Sequence, residues 1–148
     1  MISKILGSLS DEYYAFHNVK LPSGDADHVV IGPTGIFVIE TKTIRGRSIV
    51  IRDSKQVLIR EDGSPKEIMN LEREALRHAM IIRKLLGGRV YTHAILTNVD
   101  SAEVPSDTKH AIVLKPEDII SFITSGPKVL DETTIKYYVN RFSRHIDL

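Results

Sequence analysis

The stretch Asp27-His-Val-Val-Ile-Gly-Pro-Thr-Gly-Ile-Phe-Val-Ile-Glu-Thr-Lys42 decides the fold of this chain. Two apolar, β-branched runs flank Gly32-Pro-Thr-Gly35, which places Pro at the second position and Gly at the fourth position of a tight reversal. The pattern therefore predicts a β-hairpin. With the two middle residues in the turn, Asp27 faces Glu40 across the paired strands.

Alternation along the second strand places Lys42 on the same face as Glu40, so two carboxylates and one amine converge at the open end of the hairpin. Two like charges about 5 Å apart repel by roughly 3 kcal/mol at an effective dielectric near 20. A good cross-strand pair contributes only about 0.2–1 kcal/mol, so a cation is expected there, from Lys42 and a hard divalent ion. Alternatively, these are solvated residues at a strand edge, with Lys42 paired to Asp25.

Residues 25 to 42 closely resemble the core of the nuclease-related domain (NERD) family, a branch of the PD-(D/E)xK nuclease superfamily. Asp27 stands where the superfamily has its metal-binding Asp, and Glu40-Thr-Lys42 matches its E-x-K motif. The resemblance implies a restriction-endonuclease-like α/β fold. The order of elements, strands first and then helices alternating with strands, also predicts a mixed central sheet flanked by helices on both faces.

The resemblance further implies a metal-dependent nuclease that hydrolyses phosphodiester bonds. Asp27 and Glu40 would bind Mg²⁺ or Mn²⁺ together with the carbonyl of Thr41, and Lys42 would position the attacking water. DNA is the expected substrate, with RNA as the second choice. The alternative is a catalytically inactive nucleic-acid-binding or protein-interaction module on the same fold. Whether the chain is an enzyme stays open, because the family's Gly-Glu pattern on the first helix is missing and Glu12 is a poor substitute.

The composition fits one globular domain over residues 1–148. No apolar run is long enough to span a membrane, and no signal-peptide pattern is present. The absence of cysteine excludes disulfides and thiolate metal sites and favours a cytoplasmic location. A net charge of +1 means that any contact with nucleic acid depends on local basic surface. The sequence shows no seam for a homo-oligomer.

The basic segment that follows Lys42 includes Arg45 and Arg47. These two residues can bind phosphates beside the metal site. Alternatively, they are charged residues of an edge strand that oppose pairing with another sheet. The apolar runs at residues 48–51 and 56–59 predict two further strands that continue the same sheet. Upstream of the hairpin, a helix is expected over residues 2–14 and a strand over residues 16–20.

Ser64-Pro-Lys-Glu67 has the form of a capping box and predicts the start of a long helix that ends before Gly87-Gly88. In the resembled family this helix carries an Asn-Pro-x-x-Gln pattern, and Asn70-Leu-Glu-Arg-Glu74 stands in its place. Glu74 is therefore a candidate catalytic residue that orients a water, or alternatively an exposed helix-face carboxylate.

Three more residues of the predicted long helix and one residue of the hairpin are also interpreted. Arg73 and Arg77 are candidates for contact with a nucleic-acid backbone, with a solvated helix face as the alternative. His78 is interpreted as a helical ion-pair neighbour of Glu74, and His28 as a packed strand histidine.

The C-terminal third is expected to be structural. It comprises strands over residues 90–96 and 110–114, a short helix after Pro116 and a last helix capped by Asp131. No GxSxG, Walker loop, GxGxxG or HExxH pattern supports another chemistry.

Overall fold

The computed structural model describes residues 1–22, 24–105 and 111–145. Its helices are α1 (Ile2–Leu6), α2 (Leu71–Leu85), α3 (Ile119–Ser125) and α4 (Glu132–His145), with a 3₁₀ turn over Pro116–Asp118. Its strands are β1 (Tyr14–Leu21), β2 (Gly24–Gly32), β3 (Gly35–Lys42), β4 (Ser48–Arg52), β5 (Lys55–Ile59), β6 (Pro65–Ile68), β7 (Thr92–Asn98) and β8 (Ile112–Val113).

The main sheet has five strands in the order β1-β2-β3-β7-β8. β1, β2 and β3 are antiparallel neighbours, whereas β7 and β8 join the sheet in the parallel sense. The predicted hairpin register is confirmed, because Gly32 pairs with Gly35 and Val29 pairs with Val38. The apolar residues of β2 and β3 are buried on both faces, as expected for central strands covered on both sides.

Helices cover both faces of this sheet. On one face α2 and α4 pack against Val29 and Val38, and Phe142 of α4 is fully buried there. On the other face α1 and α3 pack against Val30 and Phe37. The predicted α/β fold with a mixed central sheet flanked by helices is therefore confirmed. The cap of α4 is also confirmed, since the Thr134 amide donates to Asp131 at 2.7 Å.

Strands β4, β5 and β6 form a separate three-stranded antiparallel sheet. The prediction that residues 48–51 and 56–59 continue the main sheet is therefore wrong. The physical reason is that β2 and β7 already occupy both edges of β3, which leaves no free hydrogen-bonding edge beside it. The small sheet instead packs Ile49 and Leu58 against Leu71 of α2 and Leu96 of β7.

The predicted start of the long helix is also wrong. Pro65–Ile68 is strand β6, and the Ser64 hydroxyl donates to Asp62 at 2.6 Å instead of capping a helix. α2 begins at Leu71, where the Asn70 side chain accepts hydrogen bonds from the Glu72 and Arg73 amides. Pairing with β5 gives the backbone of β6 its hydrogen bonds, so the helix starts one segment later. Its end before Gly87-Gly88 is confirmed by the positive φ of both glycines.

The first helix ends at Leu6, well short of the predicted residue 14. The chain then turns and places Tyr13 against the hairpin, where a Cβ on Gly32 would lie only 2.2 Å from the Tyr13 ring. The Tyr13 hydroxyl lies 3.1 Å from the Thr34 hydroxyl. This docking on the hairpin turn requires an extended entry into β1 and therefore stops the helix.

Two remaining expectations concern the C-terminal third and membrane crossing. Of the strand expected over residues 110–114, Ile112–Val113 is observed as β8, and His110 lies outside the described residues. Within the described ranges, no helix has the length and apolarity needed to cross a membrane.

Candidate functional site

The site begins where β2 separates from β3. Regular pairing of the two strands ends at His28 and Ile39, one residue short of Asp27. On the β1 side, Asn18 adopts a positive φ of 52° and interrupts the pairing opposite Asp27. Asp27 is half-buried at this irregularity, and its Oδ2 accepts a hydrogen bond from the Thr41 amide at 2.8 Å. The structure therefore brings Asp27 to the E-x-K strand, as the sequence predicts.

Glu40 lies on the face of β3 that α2 covers, with only 1% of its surface exposed. Burial, followed by the nearby charges of Asp27 and Glu74, raises the pKa of Glu40 to about 8. Asp27 also hydrogen-bonds to the Glu40 carboxyl, which acts in the same direction. Without an ion, the predicted repulsion between the two carboxylates is therefore relieved by a proton on Glu40 at neutral pH.

His78 of α2 contacts Glu40 directly, which the sequence interpretation missed. The ring is 1% exposed, and its Nδ1 meets Glu40 Oε1. Burial is the main cause that lowers the pKa of His78, so the ring is neutral beside a protonated carboxyl. Its other nitrogen, Nε2, is buried, and no residue in the described ranges forms a hydrogen bond with it. The overlooked signal was helical spacing, since position 78 lies on the same face as Ala75 and Ile82.

Lys42 pairs with Glu74 across the gap between β3 and α2. The Lys42 ammonium donates to Glu74 Oε2 at 2.6 Å, and this hydrogen bond is the main cause that lowers the pKa of Glu74. The alternative pairing of Lys42 with Asp25 is wrong, since Asp25 lies opposite Lys20 on β1. Glu74 therefore fixes the E-x-K lysine from the neighbouring helix.

Glu40, Glu74 and His78 form a group that can hold a metal ion. Each residue offers one ligand atom, and these atoms lie within 4.8 Å of one another. Within the part of the chain that the structure describes, this is the one such group of three. It shares Glu40 with the predicted metal site but contains neither Asp27 nor the Thr41 carbonyl, whose roles stay predictions. His28 packs beside the exposed His17 with their Nδ1 atoms 2.8 Å apart.

The predicted phosphate-binding arginines are all exposed, but they lie in two places. Arg45 and Arg47 follow β3, and Arg45 is paired with Glu61 at 3.1 Å. Arg73 and Arg77 lie on α2, and Arg77 is beside the carboxylate group: its guanidinium and His78 Nε2 both border Gly24.

Glu12, considered as a substitute for the family's first-helix Glu, lines a cavity with Pro33 at the turn end of the hairpin. Because the carboxylates lie at the opposite end of the hairpin, Glu12 does not contribute to their site.

The sequence matches the nuclease-related domain family over residues 1–102. The chain belongs to this family. The matched range includes the hairpin and the whole of α2, and it confirms the family that the hairpin motif predicts. The molecule is therefore a nuclease-like NERD domain.

The other comparisons add little to this NERD assignment. No curated protein matches the chain. Among solved structures, it is similar to the small subunit of the heterodimeric restriction endonuclease R.BspD6I. The sequences are 10% identical, the similarity covers 97% of this chain and 86% of that chain, and the TM-score is 0.44.

Proposed function

We propose that this NERD domain hydrolyses phosphodiester bonds of nucleic acid, with DNA as the preferred substrate and Mg²⁺ or Mn²⁺ as cofactor. The observation that carries the proposal is the convergence of Asp27, Glu40 and Lys42 at one end of the hairpin. Asp27 hydrogen-bonds to the Thr41 amide and to Glu40, and Lys42 projects from the same face of β3 as Glu40. This arrangement on a nuclease-related fold supports a reaction at a phosphate.

The residues present fit a divalent cation. The carboxylates of Asp27 and Glu74 lie close enough to Glu40 for their charges to raise its pKa, so three acidic side chains are gathered here. Beside them, a buried nitrogen of His78 has no hydrogen-bond partner in the parts of the chain that the structure describes. When bound, a divalent cation offsets negative charge on the phosphate and lowers the pKa of a water molecule.

The protein's own groups would orient the reactants. Lys42 uses one N–H on Glu74, and its ammonium has two more to hold a water or a phosphate oxygen. Glu74 limits the motion of Lys42, and the Thr41 amide fixes the orientation of Asp27. Such positioning contributes to catalysis because the reacting atoms must start close together and aligned.

Local basic surface would bind the nucleic-acid backbone. Arg73 and Arg77 lie on the exposed side of α2, next to the helix residues that reach the carboxylates. Arg45 is held by Glu61, but both side chains are largely exposed, so water screens this ion pair and a phosphate can replace Glu61. We therefore propose Arg45, Arg47, Arg73 and Arg77 as phosphate contacts.

The proposal is tested by incubating the purified protein with labelled single- and double-stranded DNA, and with RNA, in Mg²⁺ or Mn²⁺. We expect Glu40→Gln and Lys42→Met each to reduce the cleavage rate about 100-fold or more, since the first removes a carboxylate that would bind the cation and the second removes the ammonium. The matched controls are Glu67→Gln and Lys55→Met. They break an exposed Lys–Glu pair of the small sheet, 3.5 Å apart, and should leave the rate unchanged.

Three results would contradict parts of the proposal. Cleavage that persists in Glu40→Gln would remove this residue from the reaction. Nucleic-acid binding by the wild-type protein without cleavage in either metal would instead support the inactive binding module. Faster cleavage of RNA than of DNA would reverse the proposed substrate preference.

A further inference from the structure

We propose that His78 is a ligand of the divalent ion together with Glu40 and Glu74, and that its nitrogen makes this centre prefer Mn²⁺ and Zn²⁺ to Mg²⁺. The inference takes the location of the ion from the proposed function, but it does not depend on cleavage of nucleic acid. The sequence motif contains only oxygen ligands, so α2 adds a nitrogen that the motif does not include.

The three side chains are already collected around one point. One ligand atom from each lies within 4.8 Å of the others. Two atoms that bind the same ion at about 2.1 Å are at most about 4.2 Å apart. Small rotations of Glu40 and Glu74 therefore suffice to bring all three onto one ion.

Burial of a polar ring in an apolar row also requires an explanation. The neighbouring inward positions of α2 are Ala75, Ala79 and Ile82, and the His78 ring is as buried as they are. Its Nδ1 meets Glu40, but Nε2 has no hydrogen-bond partner among the described residues. A buried polar group without a hydrogen bond destabilises the folded state, so packing alone does not favour histidine here.

A glycine next to His78 Nε2 leaves space around this nitrogen. A Cβ placed on Gly24 would lie 3.4 Å from His78 Nε2, in contact with the ring. Because Gly24 carries no side chain, the ring has room to tilt when a neighbouring carboxylate moves. Both a ligand atom and the freedom to adjust it are therefore present.

The chemistry of the donor set decides the ion class. Mg²⁺ favours oxygen ligands and retains several waters, whereas imidazole nitrogen suits the first-row transition ions. Two carboxylates with one imidazole form a mixed oxygen and nitrogen set. Such a set binds Mn²⁺ or Zn²⁺ better than Mg²⁺, and removal of the imidazole should reduce that advantage.

The test is pulsed EPR of the full chain with one equivalent of Mn²⁺, which detects magnetic coupling to a directly bound nitrogen. We expect a ¹⁴N signal in the wild-type protein that changes to the ¹⁵N pattern when histidine is ¹⁵N-labelled. His78→Gln should lose this signal. By calorimetry, the same variant should lower the ratio of Mn²⁺ to Mg²⁺ affinity at least tenfold.

Two further variants place the signal in the molecule. His17→Gln is the matched control because it disrupts another pair of histidine nitrogens, and it should keep the coupling. Glu40→Gln, which retains the shape of the buried side chain, should abolish the coupling even if His78→Gln fails to fold.

Each other outcome has a definite meaning. Bound Mn²⁺ without histidine coupling overturns the inference, as does a signal lost in His17→Gln but retained in Glu40→Gln. Cleavage that depends on Glu40, with no nitrogen on the ion, leaves the proposed function standing without this inference. Histidine coupling without cleavage supports this inference and contradicts the proposed function. Failure to bind any divalent ion overturns both.

Discussion

The charge balance at Glu40 shows how a single buried residue is accommodated. The sequence places two acids together and therefore calls for a compensating cation, and Lys42 does approach from the same strand. In the structure, however, the Lys42 ammonium is bonded to Glu74, while Glu40 meets the neutral His78 ring. Burial and the surrounding carboxylates instead favour the protonated form of Glu40, with its pKa raised to about 8.

This raised pKa predicts how the stability of the metal-free protein depends on pH. The folded state holds a proton on Glu40 that the unfolded state has lost above its ordinary pKa of 4.5. The stabilisation from Glu40 protonation is complete below pH 4.5 and is lost as pH rises through about 8, on the order of 5 kcal/mol in total. Between pH 6.5 and 9, the free energy of unfolding should fall in the wild-type protein and fall much less in Glu40→Gln.

Urea denaturation at fixed pH values, with a metal chelator present, measures this difference. His78 affects only the lower end of this interval: its pKa is lowered from 6.5 in the fold, where the ring is neutral, and the unfolded ring also becomes mostly neutral above about pH 7.5. The exposed Glu67→Gln should follow the wild-type curve. Parallel curves for wild type and Glu40→Gln would show that Glu40 is ionised in the fold.

Helix α2 is the element that completes the site, so its first turn matters for the position of Glu74. The helix begins at Leu71 and not in the Ser64-Pro-Lys-Glu67 segment, because β6 pairs with β5 and the Asn70 side chain caps the helix. Capping residues accept hydrogen bonds from amides that the first turn leaves unpaired. The location of Asn70 therefore determines which residues of α2 face the sheet edge.

Asn70→Ala should lower the free energy of unfolding by about 1 kcal/mol, since the Glu72 and Arg73 amides lose their acceptor. Ser64→Ala should cost less than about 0.5 kcal/mol, because this half-buried residue bonds to the neighbouring Asp62 and caps no helix. Urea unfolding followed by circular dichroism measures both variants. A larger loss in Ser64→Ala would contradict the observed start of α2.

At the scale of the whole molecule, the small sheet and the main sheet share one apolar contact region. Leu58 of β5 lies in this region with Leu71 at the start of α2 and Leu96 of β7. A second link is the Gln56 side chain, which accepts a hydrogen bond from the Leu71 amide at 2.8 Å. The two sheets should therefore unfold together.

Leu58→Ala tests this connection. Loss of the buried side chain should lower the free energy of unfolding by about 2–4 kcal/mol in a single transition. The control Ile51→Ala changes an apolar residue of the same sheet that is 48% exposed, and it should alter stability by less than about 0.5 kcal/mol. Thermal unfolding by calorimetry measures both. Two separate transitions in Leu58→Ala would mean that the small sheet is independent.

The sequence by itself determined the hairpin, its register and the shared face of Glu40 and Lys42. These features follow from a turn motif and from side-chain alternation, which act over a few neighbouring residues. It also determined the family, because the motif lies in one continuous stretch. The sequence also predicted which face of α2 is buried, but it gave His78 no role on that face.

Only the tertiary structure decided which side chains lie opposite Glu40 and Lys42. Contacts between β3 and α2, more than thirty residues apart in the chain, bring His78 to Glu40 and Glu74 to Lys42. The separation of β4, β5 and β6 into a second sheet depends on β7, which pairs with β3 from much later in the chain. Local sequence patterns do not encode these long-range pairings, because each pairing depends on which distant segment occupies a strand edge or a sheet face.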